Sequence, residues 1–353
     1  MPRAPRDLCF FALALGAVAV NGYTLPTLPP QQHAPINIKM ALDLAALAAC
    51  FGLLSPQVVE HPWLLPLYAP LTGTVMWMNF VVGHDCGHGS FSDNKWINAV
   101  VGHLTHTPLL VPFWPWAFSH RLHHQYHNHR VKDRSYPWFD EDEWAALGPL
   151  KRGALKSIAA PFYLFPAYLF MEAFDGCHFW PFSHLYSEGA TSDRVKCVAS
   201  TATVVGFAVL AKEACGSWGA FAQVYLPAYF VFAWWLFTVT YLQHHDKGTK
   251  VYDEDWTFVK GATETIDRTY GMGIDKFHHH ITDGHVAHHL FSRQIPHYHL
   301  EKATAGVRSV LRPPDPDDDG REFLSPVSVI TLVASLAVVA VLSDVITTVA
   351  SSV

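Results

Sequence analysis

Nineteen of the 23 histidines in this 353-residue chain fall into three short windows, and apolar runs of membrane-crossing length lie between them. The windows are His84 to His129, His244 with His245, and His278 to His299; His33, His61, His178 and His184 are scattered. Histidine concentrated in this way points to metal chemistry. If the windows form one site, the chain must cross a membrane an even number of times between them. That requirement limits the fold more than any other feature of the sequence.

The apolar runs meet it. Ala41 to Val59 and Trp63 to Val82 read as a helical hairpin across a bilayer, broken by Glu60, His61 and Pro62. Val195 to Leu210 and Ala220 to Leu242 read as two further spans, separated by Lys212, Glu213 and Gly216. Each approaches the roughly 20 residues that a crossing needs. Half of the chain is hydrophobic and only 15% is charged, against about a quarter in soluble domains. Residues 97–118 carry Pro108, Pro112 and Pro115, and residues 155–174 carry Pro161, Pro166 and Glu172. Both read as broken segments against the membrane rather than as spans. Leu8 to Val20 follows Arg3 and Arg6 and has the form of a targeting segment or a short interfacial helix. Residues 24–39 read as a Pro-rich loop, and Val327 to Val349 as a final span or anchor. The expected fold is therefore all-α, a multi-span transmembrane helical protein with a helical cap that carries the histidines. The expected division is 1–40, 41–312 and 313–353.

Within the windows the spacing is that of a helix face. His84 and His88 stand at i, i+4. His120, His123 and His124 stand at i, i+3, i+4, and His285, His288 and His289 repeat that pattern. Residues so spaced are neighbours on one helix surface. Eight imidazoles exceed the four ligands of one zinc and suit two metals. His244 follows the aromatic-rich fourth span directly and is expected to complete the coordination, with His245 the competing choice. Asp85, Asp133 and Asp283 are expected to orient the imidazoles from behind. His103, His106, His127 and His129 read as outer or surface groups, at most one of His278, His279 and His280 is expected to touch the site, and His297 and His299 read as structural loop residues. Trp234, Trp235 and Phe237 read mainly as packing residues.

Several other chemistries are excluded by what the chain does not contain. It has no H-E-x-x-H, no Glu-x-x-His, no G-x-S-x-G and no P-loop lysine motif. Its six cysteines form no C-x-x-C, so neither a disulfide framework nor a cysteine zinc site is expected. A net charge of −6 without basic runs excludes nucleic acid as a partner.

The stretches HDCGHGSFSDNKWIN (84–98), LLVPFWPWAFSHRLHHQYHNH (109–129), TYLQHHD (240–246), WTFVKGATETIDRTYG (256–271) and HITDGHVAHHLFSRQIPHYHLEKAT (280–304) resemble those of the membrane acyl-lipid desaturases of the Δ12 and omega-3 type. The resemblance runs from about residue 41 to 312. It implies boxes that face the cytosol or stroma and bind two iron ions through His84, His88, His120, His123, His124, His285, His288 and His289, with His244 as a further ligand. It also implies insertion of a cis double bond at the Δ12 or omega-3 position of an unsaturated acyl chain, on an acyl lipid or acyl-CoA, with O₂ and two electrons. No heme-binding HPGG segment is present, so the electrons would come from a separate cytochrome b5 in the endoplasmic reticulum or a ferredoxin in a plastid. FDEDEW (139–144) is a solvated loop or a docking surface for that donor. An acyl hydroxylase, acetylenase or conjugase would share the scaffold. A histidine-rich transporter would instead carry its histidines within the spans.

Overall fold

A computed structural model describes residues 38–311 apart from 136–138, 140, 158, 172–174 and 188, together with residues 19–20 and 23–24. The expected boundary at residue 40 falls within the described residues, whereas the boundary at 312, most of the Leu8–Val20 run and the Val327–Val349 run lie outside them. The end of the first run, β1 (Ala19–Val20), pairs with β2 (Tyr23–Thr24) in a two-residue antiparallel ladder. Every other element is helical: α1 (Ile38–Ala49), α2 (Ser55–Glu60), α3 (Leu65–His88), α4 (Lys95–His106), α5 (Phe113–Tyr126), α6 (Glu141–Ala146), α7 (Pro149–Leu155), α8 (Ala160–Phe170), α9 (Thr191–Cys215), α10 (Trp218–His244), α11 (Phe258–Thr263), α12 (Ile274–Phe277), α13 (His285–Phe291) and α14 (His297–Leu311).

Four helical stretches among the described residues are long and apolar enough to cross a membrane: Lys39–Glu60, Pro62–His88, Thr191–Cys215 and Trp218–His244. The first joins α1 to α2 through a π-type turn at Cys50–Leu54. The expected hairpin and the expected second pair are thus both present. Two crossings separate α5 from α13, so the boxes return to one side. The interrupted region 97–118 folds as α4, a 3₁₀ turn at Thr107–Leu109, and α5. Its prolines explain the breaks. Pro108 is the second residue of the 3₁₀ turn and Pro112 caps α5, where a missing N–H costs little.

The second and fourth spans form the buried centre, and the first and third turn apolar side chains outward. Leu42 and Leu53 are exposed on the first span, and Val195, Val198, Val205 and Leu210 on the third. Apolar surface of this extent on membrane-length helices suits lipid. The buried spans meet at Gly73, where a Cβ would lie 2.5 Å from Val231 Cβ and 2.6 Å from the Ala228 carbonyl oxygen. Such close approach requires a small residue at the crossing. Gly73→Ala is expected to force α3 away from α10, at about 1–3 kcal/mol of overpacking. Its thermal unfolding midpoint in detergent should fall by several degrees; an unchanged midpoint would mean that the spans do not meet so closely.

Candidate metal centre

The second span does not end with its apolar run at Val82. It continues as helix through His84-Asp85-Cys86-Gly87-His88 and stops at Gly89, whose φ of 76° closes the end with hydrogen bonds to the Asp85 and Cys86 carbonyls. His84 and His88 therefore occupy the last turns on one face. His120, His123 and His124 lie near the end of α5, and His285, His288 and His289 fill the seven-residue α13. His244 is the last residue of α10.

These elements bring the histidines into two adjoining groups. His84, His88, His120, His124 and His288 offer ring nitrogens that all lie within 4.8 Å of one another. His123, His244 and His289 form a second such group, and His285 joins it through an Nε2–Nε2 distance of 3.1 Å to His244. The His289 ring stacks on that of His124 at 4.0 Å, so the groups share a wall. All nine histidines expected as ligands are present in the two groups. His245 is not: its Nδ1 donates to the Tyr241 carbonyl at 3.1 Å and its ring stacks on Tyr241.

The donor set fits metal ions. Imidazole nitrogens bound to one first-row ion at about 2.1 Å lie roughly 3.0–3.4 Å apart. The Nε2 atoms of His84 and His88 are 3.2 Å apart, those of His120 and His124 3.1 Å, and those of His124 and His288 3.1 Å. A carboxylate or carbonyl oxygen can only accept, so the partner of a ring Nδ1 fixes the tautomer. His84 Nδ1 donates to Asp85 at 3.2 Å, His123 Nδ1 to Asp133 at 2.9 Å and His285 Nδ1 to the Ile281 carbonyl at 3.0 Å. Each leaves Nε2 with a lone pair toward its group, which is what a metal requires.

Burial disfavours the charged form of several of these rings. Burial, reinforced by neighbouring imidazoles, holds His120, His124, His288 and His289 well below the usual histidine range, and burial lowers His285 to about 3. Asp133 behaves oppositely. Burial raises it, but His123 and His127 outweigh that and keep the carboxyl ionised.

Two of the three expected carboxylates stand behind histidines of the two groups. Asp85 and Asp133 do; Asp283 does not. Its carboxylate pairs with His280 at 3.2 Å, because the chain reverses at His279 and His280, both with φ near 60°, and turns it away from α13. His279 pairs with Asp43 of the first span at 3.0 Å, and His278 packs edge-on to Trp235 at 4.3 Å, so none of this run touches the groups. Trp235 also bonds Thr74 at 2.9 Å, in keeping with a packing role. His103 bonds the Ala99 carbonyl and Ser200, and His106 bonds the Phe80 carbonyl at 3.2 Å. The expected loop at FDEDEW is helical from Glu141, where α6 begins, and there Glu143 pairs with Arg130 at 3.5 Å.

His297 begins a helix where a loop was expected. It is buried at the start of α14, and both its backbone N–H, at 2.6 Å, and its Nδ1, at 2.7 Å, donate to Asp85 Oδ2. Asp85 Oδ1 remains for His84. The segment that follows the third box therefore reaches, through Asp85, a histidine of the first. Only a long-range contact carries this, and the chain shows no local sign of it beyond a histidine after Pro296. Replacing His297 with Ala is expected to weaken metal binding about tenfold in a chelator competition, the low end for an outer partner because the backbone donor stays. Unchanged affinity would deny His297 this role.

A family model described as fatty acid desaturase matches residues 61–316. The omega-3 fatty acid desaturase fat-1 of Caenorhabditis elegans is 46% identical over 237 residues, 66% of this chain and 58% of that protein. The Δ(12) fatty acid desaturase fat-2 of the same organism is 44% identical over 237 residues, 66% of this chain and 62% of its own. The matched stretch thus covers less than two thirds of either nematode protein. An acyl-lipid omega-3 desaturase (cytochrome b5) of the endoplasmic reticulum from Arabidopsis thaliana is 39% identical over 277 residues, 76% of this chain and 69% of that protein.

Proposed function

Because the chain belongs to the fatty acid desaturase family, we propose that it inserts a cis double bond at the Δ12 or omega-3 position of an unsaturated acyl lipid. The observation that carries this is the convergence of three distant boxes on two adjoining, largely buried groups of imidazoles. Two iron ions are the proposed occupants. His84, His88, His120, His124 and His288 hold one, and His123, His244, His285 and His289 hold the other. Iron in this setting supplies the oxidising power that an unactivated C–H bond demands and that no side chain has.

This chain's residues do the rest. Asp85, Asp133 and the Ile281 carbonyl hold protons on Nδ1 and so keep each Nε2 available. Burial of most of the rings limits the access of bulk water to the two groups. The balance of the reaction fixes the partners. Converting CH₂–CH₂ to CH=CH yields two electrons and two protons, whereas reducing O₂ to two waters takes four of each. Two electrons must arrive from outside, and cytochrome b5, named for the Arabidopsis relative, is the proposed donor, with the protein in the endoplasmic reticulum membrane and its boxes toward the cytosol.

Expression in yeast supplied with oleate and linoleate tests the reading. A new diene made from oleate assigns Δ12 activity, and a triene made from linoleate assigns omega-3 activity. Neither product, from protein that accumulates in the membrane, removes the proposal.

A further inference from the structure

Resting on the reading of the two groups as iron sites, we propose that His127 is a tenth metal ligand, the fifth imidazole of the second group.

His127 is 1% exposed, and neither of its ring nitrogens has a hydrogen-bond partner. Leaving a buried polar atom unsatisfied costs about 1–3 kcal/mol, so a fold that keeps one there needs a reason. The ring is placed for ligation. Its centroid lies 4.6 Å from those of His244 and His289 and 4.9 Å from that of His123. One of its nitrogens lies within 4.8 Å of a nitrogen of His123 and of an Asp133 carboxylate oxygen.

The carboxylate supplies the chemical argument. Asp133 takes the Nδ1 proton of His123 at 2.9 Å through Oδ1, and its Oδ2 faces His127 Nδ1 at 3.5 Å. One carboxylate thus lies against both imidazoles. His123 lies within the second group, and His127 packs beside it. The groups are also unequal without it: five imidazoles surround the first position and four the second.

The backbone is held as tightly as the ring. His127 leaves the end of α5 in an extended conformation, and its carbonyl accepts from Trp256 Nε1 at 2.8 Å. Gly261 of α11 approaches so closely that a Cβ there would lie 2.1 Å from the same carbonyl oxygen. Just beyond, Tyr252 N donates to the Asn128 carbonyl and Arg130 N to the Tyr252 carbonyl, both at 2.9 Å, which laces the two loops that cover the group. An outer histidine needs no such clamp; a ligand does.

The test uses the full chain, purified with iron, as wild type, His127→Ala and His127→Gln. Iron per chain is counted by plasma mass spectrometry, and release to a chelator is timed with and without added imidazole. The wild type is expected to hold two irons and both variants about half as much. Free imidazole is expected to enter the space left in His127→Ala and restore the missing iron, and to do nothing for His127→Gln, where the longer side chain fills that space. Two irons in His127→Ala, released at the wild-type rate, overturn the assignment. So does a loss that imidazole leaves unrepaired, since that marks a structural role. A wild type with fewer than two irons instead overturns the reading of the two groups.

Discussion

His288→Ala is expected to abolish product and strip metal while the protein still accumulates in the membrane. His288 is where the third box meets the other two. Its Nε2 lies 3.1 Å from that of His124, and its ring lies 4.6 Å from His84 and 5.0 Å from His88. Removing it takes one imidazole from the first group and leaves a buried gap that no neighbouring side chain fills. The loss should exceed the roughly 10–100-fold that follows removal of an outer partner. Product analysis in yeast reads the activity, and iron content of the purified chain reads the cause. Retained product at more than a few per cent of wild type would remove His288 from the ligand set.

Asp133→Asn is expected to lower iron affinity by about 10–100-fold and activity with it. The substitution keeps the volume and replaces one acceptor oxygen with a donor. Asp133 accepts from His123 Nδ1 at 2.9 and 3.1 Å, from the Asn128 N–H at 3.2 Å and from the Ser135 N–H at 3.3 Å, and it faces His127. Whichever way the amide sits, one of these groups meets an NH₂ and loses its acceptor. His123 is then free to take the other tautomer, with its proton on the nitrogen that should face the metal. A chelator titration reads the affinity, and equal affinities for variant and wild type would show that the carboxylate does not set the ring.

Much of this was legible in the chain because it is local. His-x-x-His-His places three rings on one face whatever surrounds the helix, and apolar runs near 20 residues state their own length. The choice of His244 over His245 followed from its place directly after a span, and α10 indeed ends on it. Helix ends were less legible. Val82 closes the apolar run, yet α3 continues to His88 because the polar groups beyond it find partners in each other and in His297 rather than in water. The partnerships between boxes were not legible at all. Asp283 sits two residues from His285 and serves His280, whereas Asp85 is served by His297, more than two hundred residues away. His127 reads as one more histidine after a box until its buried, unpartnered Nε2 is seen among His123, His244 and His289. Periodicity reports the face of a helix; it does not report what that face meets.

Iron counted per chain in the purified wild-type protein, with the metals identified in the same run, tests the central claim most directly. Two irons per chain and little of any other metal is the predicted result. A single ion, or zinc in place of iron, would contradict it.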